Sequence, residues 1–389
     1  MTGLIFGLAP ALQGSKIDLN DSLRDGSRGM TCGLRHQRLR NAFVVVEIAM
    51  VLTLLAGGGL LIKNLRQLQQ IKPGFDPERV LTLQLNLPET RYADRNQQNS
   101  FITQILERLA ALPGVTAAGA TTELPFTYSR TSNSIKIEGR APLPRGVDLR
   151  ADRRKVSADY FKAMGITLLR GRGFTASDNG ENSHVAIINE QAMRRFFPND
   201  NPLGKRLIMQ GDIKYEIVGV VGDVKHGNLT EIVRPEVYTH TLEDSLRTWM
   251  DVAVRTTGSS ENLIGAVRRA IRAVDPDQPV YNVYTMEQRL AGSIAADRFN
   301  ALLLGVFAAV AMILAATGIY GVISYTVTQR TQEIGIRMAL GAQGSNMLAL
   351  VIKQGMILAL IGMVIGLVVA SLPARLLKDM LYQVKLMIR

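Results

Sequence analysis

The chain is poor in the residues that build disulfide frameworks, metal centres and aromatic surfaces: its 389 residues include one cysteine, one tryptophan and four histidines. Cys32 has no second thiol to pair with, so the 235 residues at 64–298 must be held by their own packed core, which a region of that size can supply. His36, His184, His226 and His240 form no i, i+4 pair and no Cys/His cluster of ligand spacing, which argues against a metal site. Nucleotide hydrolysis is excluded on similar grounds. Gly204-Lys205 resembles a phosphate loop, but Asn199 stands where the first glycine of G-x-x-x-x-G-K is required. Ser157, Ser183, Asp223 and His226 could be drawn together as a hydrolase, yet no serine lies in a G-x-S-x-G elbow, and they read as turn and surface residues.

Charge is missing from long stretches, and this is the most informative absence. Residues 299–329 are 31 positions without a charge, more than the roughly 20 that span a hydrocarbon core. Residues 41–62, between Arg40 and Lys63, carry only Glu47, and residues 354–374, between Lys353 and Arg375, carry none. The order is one transmembrane helix (41–62), the polar region (64–298), a second helix (299–323), a cytoplasmic loop (324–353) and a third helix (354–374) that Pro373 is expected to end. The overall apolar fraction of 47% and mean hydropathy of +0.10 average these parts and hide the membrane.

The net charge of +12 is distributed unevenly. Residues 64–298 hold 31 Lys and Arg against 27 Asp and Glu, while the remaining 154 residues hold 14 against 6. The excess therefore flanks the spans, which suits membrane topology and excludes a nucleic-acid surface. Arg35, Arg38 and Arg40 before the first span, and three basic residues against Glu333 alone in 324–353, place both segments in the cytoplasm and 64–298 outside it. The leader at 1–40 is then cytoplasmic. The basic tail at 375–389 falls outside, against the bias, so the reading expects a further helix beyond it.

Hydrophobic periodicity orders the outer region. A strand at 79–87, a helix at 96–112 and a strand at 115–121 are followed late in the region by a strand at 250–255, a helix at 259–274 and a strand at 280–284. Two such β-α-β units predict a split ferredoxin-like, porter-like α+β lobe at 76–127 and 248–290, with a second α/β lobe inserted at 128–247. Within the insertion a short helix at 160–164, turns at Gly165, Gly171 and Gly173, a strand at 185–188, a helix through Phe196 and a strand at 215–221 are legible.

Three membrane-associated features stand out. The segment after Arg330 carries Glu333 and Arg337 at i, i+4, while Ile334, Ile336 and Met338 cannot share one narrow stripe, so part of this short helix at 332–340 must meet another surface. Glu47 lies about six residues into its span, near ~9 Å deep, and reads as snorkelling or paired with a neighbouring helix. Gly362, Gly366 and Ala370 recur every four residues and form a helix-packing face, with the partner expected from outside the chain. Gly57, Gly58 and Gly59 read as packing residues within the first span.

The residues now carry a family resemblance. QRTQEIGIRMALGA at 329–342, with TGIYGVISY at 317–325 before it, resembles the cytoplasmic signature of MacB/FtsX-type ABC transporter permeases. VSADYFKAMG at 156–165, LRGRGFT at 169–175, NPLGKRL at 201–207 and IVGVVGDVKHG at 217–227 resemble the MacB-like periplasmic core domain, and VDPDQPV at 274–280 resembles the approach to the second span. LIFGLAPAL at 4–12 is similar to the end of a preceding span, as in the duplicated acidobacterial-type permeases, so the chain is expected to be the C-terminal half of a longer permease. The resemblance implies a multi-pass protein of the bacterial inner (plasma) membrane that transmits the motions of a cytoplasmic ABC ATPase to an extracytoplasmic domain for efflux or export. It implies no catalytic residues and no cofactor of its own. ATPase coupling falls on Arg330, Glu333, Ile334, Gly335, Ile336, Arg337 and Gly341. The implied partners are that ATPase, a second permease half or homologous subunit, membrane lipid, and a periplasmic adaptor or substrate-delivering protein, with no nucleic acid. An FtsX-like regulatory protein controlling an extracytoplasmic partner is the alternative.

Overall fold

The computed structural model describes residues 30–88, 90–92, 94–127, 131–140, 149–179, 184–209, 211–241, 248–329, 331–340 and 343–386. They fall into two compact units: an α+β domain at 64–298, and a helical unit drawn from the residues before and after it.

The α+β domain begins as the sequence periodicity leads one to expect. Strand β1 (Val80–Asn86) alternates Leu81, Leu83 and Leu85 into one core; helix α2 (Arg95–Ala110) lays Phe101, Ile102, Ile105 and Leu109 on the same core, and β2 (Val115–Thr121) follows. Asp94 starts α2 by accepting a hydrogen bond from Gln97 N at 2.8 Å. After the insertion come β10 (Trp249–Thr256), helix α5 (Ile264–Arg272) and β11 (Val280–Thr285). The strands lie in the order β11-β1-β10-β2 with every neighbouring pair antiparallel, and Val267 and Ile271 of α5 join α2 on the leucine face. In order of appearance this is 4-1-3-2, the split ferredoxin-like topology.

The insertion is richer in strand than its sequence pattern suggests. It contains β3 (Ser132–Ile137), β4 (Leu149–Val156), helix α3 (Tyr160–Met164), β5 (Leu168–Gly171), β6 (Val185–Asn189), helix α4 (Glu190–Phe196), β7 (Arg206–Met209), β8 (Ile213–Val221) and β9 (Glu236–His240). Strand pairing runs β4-β3-β7-β8-β6-β9 and returns from β9 to β4, so six strands close into a barrel, with β5 added on β8. Ile137, Ile188, Leu207, Ile217 and Val237 fill it together with Ala192 and Phe196 of α4. Asn189 fixes that helix: its Oδ1 accepts from Ala192 N and from Glu236 N, and its Nδ2 donates to Arg234 O. Gly165 and Gly171 take positive φ at the turns expected there, whereas Gly173 does not.

A third core joins the two lobes. Tyr160, Phe161 and Met164 of α3 pack with Leu124, Val156, Tyr238 and Ala253. The close approach of α3 depends on Gly119 of β2, since a methyl group there would lie 2.5 Å from Tyr160 Cα.

The helical unit holds most of α1 (Met30–Gln70) and α7 (Ala295–Gln329), with α8 (Thr331–Ala339) and α9 (Gly344–Leu386). Helix α6 (Met286–Ser293) precedes α7 within the α+β domain. Three stretches, Arg38–Gln70, Ala295–Thr328 and Leu348–Ser371, are long and apolar enough to cross a membrane. Two expectations are corrected. Helix continues through Pro373 to Leu386 rather than ending at the proline, as membrane-type helices tolerate when neighbours re-satisfy the freed backbone groups. The segment at 324–353 is helical beyond the short helix expected within it at 332–340, because α7 runs to Gln329 and α9 starts at Gly344.

Gly119→Ala should lower the stability of the α+β domain by roughly 3 kcal/mol through overpacking against the α3 backbone. A thermal melt of the solubilised protein checks this, and an unchanged midpoint would show that α3 is not held by that contact.

Candidate functional site

In the helical unit, the small residues picked out by spacing sit against other helices. A methyl group on Gly362 would lie 2.8 Å from Ile48 Cβ, and one on Gly366 would lie 2.9 Å from Ala49 O and from Leu52 Cβ. The neighbour of this α9 face is therefore α1 of the same chain, which corrects the expectation of a partner from outside. The reason is that the two glycines leave room for Val45, Ile48, Ala49 and Leu52 of α1 to come up against the α9 backbone. Ala370, one turn further on, is half-buried. Gly57 faces Leu304 of α7, and Gly355 faces Ile323. At one end of the α1–α7 pair the Arg40 guanidinium carbon lies 3.8 Å from the centre of the Tyr325 ring.

Glu47 turns toward α7. A methyl group on Gly318 would lie 2.7 Å from Glu47 Oε2 and 3.5 Å from Val44, so the missing side chain at 318 is what lets the carboxyl group lie on the helix. Among the described residues no cation pairs with it.

The segment singled out for coupling is the nine-residue α8. Ile336 is 57% exposed, Met338 53% and Leu340 83%, and Gly335 and Arg337 are exposed too. Arg330 and Gly341 lie outside the described residues; Glu333 and Ile334 lie on α8.

The α+β domain contains a site that sequence reasoning did not find. Arg154 on β4 is only 2% exposed, and its Nη1 lies 2.7 Å from Glu123 Oε2 while its Nε lies 3.5 Å from Glu236 Oε1. Glu236 on β9 accepts from the Tyr238 hydroxyl at 2.5 Å and stands 3.2 Å from His226 Nε2. Burial would raise the Glu236 carboxyl, but His226, Arg154 and the Tyr238 hydroxyl hold it below the usual carboxylate range. Arg153, beside Arg154, reaches Thr239 and Tyr215. The only hint in the sequence is the basic run Arg153, Arg154 and Lys155 placed directly before the apolar Val156.

This cluster forms the floor of a cleft of 840 Å3 walled by the loop at 224–234, by Leu68 at the end of α1, and by Gln288, Arg289 and Asp297. Its charged lining is balanced, with Arg154, Lys225, Arg234 and Arg289 against Asp152, Glu231, Glu236 and Asp297. Of the residues considered for hydrolysis His226 lines the cleft, whereas Ser157 Oγ accepts from Ala120 N and Asp223 Oδ1 from Gln191 N, each serving the backbone, and Ser183 lies outside the described residues. Nearby, Asp251 on β10 accepts from Leu124 N through Oδ2 at 3.2 Å, and burial pushes its carboxyl up to about 6.

Long apolar helices joined to a ferredoxin-like lobe with an inserted barrel define a membrane protein built around a large α+β domain. The family description "MacB-like periplasmic core domain" matches residues 47–274, and "FtsX-like permease C-terminal" matches 305–388. The chain belongs to the MacB/FtsX-type ABC transporter permeases. Among curated relatives, a macrolide export ATP-binding/permease protein MacB of Mannheimia succiniciproducens is 28% identical over 55% of this chain and 34% of its own length. One from an Azoarcus species is 24% identical over 91% of this chain and 52% of its own. A probable syringafactin export ATP-binding/permease protein of Pseudomonas syringae is 28% identical over 60% of this chain and 36% of its own. The chain thus spans between a third and about half of these relatives. The crystal structure of the periplasmic region of MacB from Actinobacillus actinomycetemcomitans aligns over 57% of this chain and 95% of that one, at 15% identity and a TM-score of 0.39.

Because the folded protein holds the Asp251 proton more tightly than the unfolded chain, stability from this group falls as pH rises from about 4 to about 6 and stays low above that. Asp251→Asn should therefore stabilise the domain at pH 7.5, by on the order of 2 kcal/mol, with the gain gone near pH 4. Melting curves of both proteins across that range decide it; a gain independent of pH would mean that the carboxyl is not the source.

Proposed function

We propose that this chain is the permease of an export system in the bacterial inner membrane, passing the movements of a separate cytoplasmic ATPase to the α+β domain outside. The observation that carries the reading is α8: a short helix with Ile336 and Met338 exposed, and Leu340 exposed just beyond its end, following a span-length apolar helix. Apolar side chains at such a place call for a partner surface, and the match of residues 305–388 to an FtsX-like permease makes an ATPase the fitting one. Arg330, Glu333, Arg337 and Gly341 would complete that contact. The relatives' names join an ATP-binding part to a permease part, and this chain aligns with only a portion of them, which supports supply of the ATPase by another polypeptide or segment.

The face of Gly362, Gly366 and Ala370 would pack the helices of the unit, a reading supported by the approach of Gly362 and Gly366 to α1, so that a push at α8 would meet a bundle rather than a loose strand. A second permease half or homologous subunit would complete the membrane part. The names of the relatives, macrolide and syringafactin exporters, favour efflux as the outcome.

Two experiments test this function. Glu333→Lys should reduce permease-stimulated ATP hydrolysis in the reconstituted complex at least fivefold while membrane insertion stays normal, since reversal acts on the contact and not on the spans. Unchanged stimulation would remove α8 as the docking element. For topology, a membrane-impermeant thiol reagent applied to intact cells in a Cys32→Ser background should label Ser132→Cys but not Ser345→Cys. The opposite pattern would invert the protein.

A further inference from the structure

The chain enters the α+β domain from α1 and leaves it toward α7, and the entering passage is bonded to both lobes. The linker after α1 leads in sequence to β1 of the four-stranded lobe, yet its backbone bonds go to the inserted segment, while Arg255 on β10 holds it from the four-stranded side. Lys225 N donates to Pro73 O at 2.8 Å, and Asp76 N donates to Met164 O, at the end of α3, at 3.0 Å. Between them Gly74 has φ +89°, and any side chain there would overlap the Asp223 carbonyl oxygen. Arg255 locks the arrangement: Nε donates to Ala163 O at 2.9 Å, Nη1 to Asp76 Oδ2 at 2.8 Å and Nη2 to Asp76 O at 2.8 Å. Phe75 is buried in the core shared by both lobes.

The exit toward α7 is fastened elsewhere. Thr285 and Gln288 form a reciprocal capping box that starts α6, Met286 is fully buried, and Arg289 Nε donates to Thr82 Oγ1 of β1 at 2.7 Å. Arg289 thus grips the four-stranded lobe, while Met286 lies in the core that both lobes share. The entry is thus held by both lobes, with its backbone bonded to the inserted segment, and the exit by β1 and the shared core.

We propose that residues 73–76 are the bearing through which a displacement of α1 reaches the barrel lobe, with Gly74 and Arg255 as its positioning residues. The proposal rests on the transmission function above. A peptide linker with free torsions absorbs a displacement, whereas one bonded at both ends and along its length moves with its partners. One planar guanidinium holding the carboxylate and carbonyl of Asp76 together with the Ala163 carbonyl is a joint that lysine, a point charge on a flexible stem, does not reproduce.

The test uses the full chain in lipid nanodiscs with its ATPase, carrying a fluorophore at Ser132→Cys in a Cys32→Ser background. Arg255→Lys and Gly74→Ala should speed amide hydrogen exchange over residues 74–78 at least tenfold while residues 81–85 keep their protection. The same variants should cut the ATP-driven fluorescence change at least fivefold without altering the rate of ATP hydrolysis. Asp76→Ala, at a side chain 52% exposed, gives the same readouts where a core-facing variant lowers overall stability. Unchanged exchange in all three overturns the bearing. Faster exchange with the fluorescence change intact overturns the load path and leaves the permease function standing. A wild-type chain without any ATP-driven change overturns that function, and the proposal with it.

Discussion

A guanidinium sealed from solvent sets the relation between the two lobes of the α+β domain. Arg154 can be buried only because Glu123, following β2, and Glu236, on β9, both lie beside it. Those carboxylates come from different lobes, so the ion pair can be satisfied in one relative placement. Buried pairs of this type add little net stability over apolar packing, but stranding one partner costs about 3–5 kcal/mol. Their weight is in specificity: alternative dockings of barrel and sheet leave a bare charge inside. The aromatic ring of Tyr160 and the hydroxyl of Tyr238 close the same region, which is why the cleft above it has a firm floor.

The helical unit obeys a different rule. Lipid gives little incentive for apolar surfaces to leave it, so helix contact must come from close approach and polar links. Gly362 and Gly366 supply the approach to α1, Gly318 makes room for Glu47, and Arg40 lies on Tyr325. The spacing of four residues between the glycines is the period at which one helix face repeats. An acidic group in an apolar span is tolerable when it faces another helix rather than the acyl chains, and its position over α7 meets that condition.

The sequence was most legible where one simple signal ruled. Uncharged runs marked the apolar helices, and the alternation of Leu81, Leu83 and Leu85 with the helical stripe of Phe101, Ile105 and Leu109 marked the four-stranded lobe. The barrel was legible only in part. Strand β4, with the sequence LRADRRKV, holds four cationic residues and an aspartate, and looks like a solvated loop until its partners Glu123, Glu236, Thr239 and Tyr215 are in place. Strands β5 and β7, of four residues each, are too short to show a period, and closure of a barrel through β4 and β9 is a long-range event with no local trace. For the same reason Arg154 was invisible as a site residue. Pro373 misled because a rule from water-exposed helices was carried into an apolar one.

The barrel replaces what would be a tight hairpin between the second and third strands of the four-stranded lobe. Those strands, β2 and β10, remain paired, with Thr121 opposite Asp251, so the insertion starts and finishes at neighbouring points. Its own ring of strands is completed internally, and β2 lends it a single bridge, Thr121 with Val156. A module attached in this way can be lengthened, shortened or exchanged without changing the register of its host. Within such an architecture, diversification of the outer surface and preservation of the mechanical frame are separate evolutionary problems.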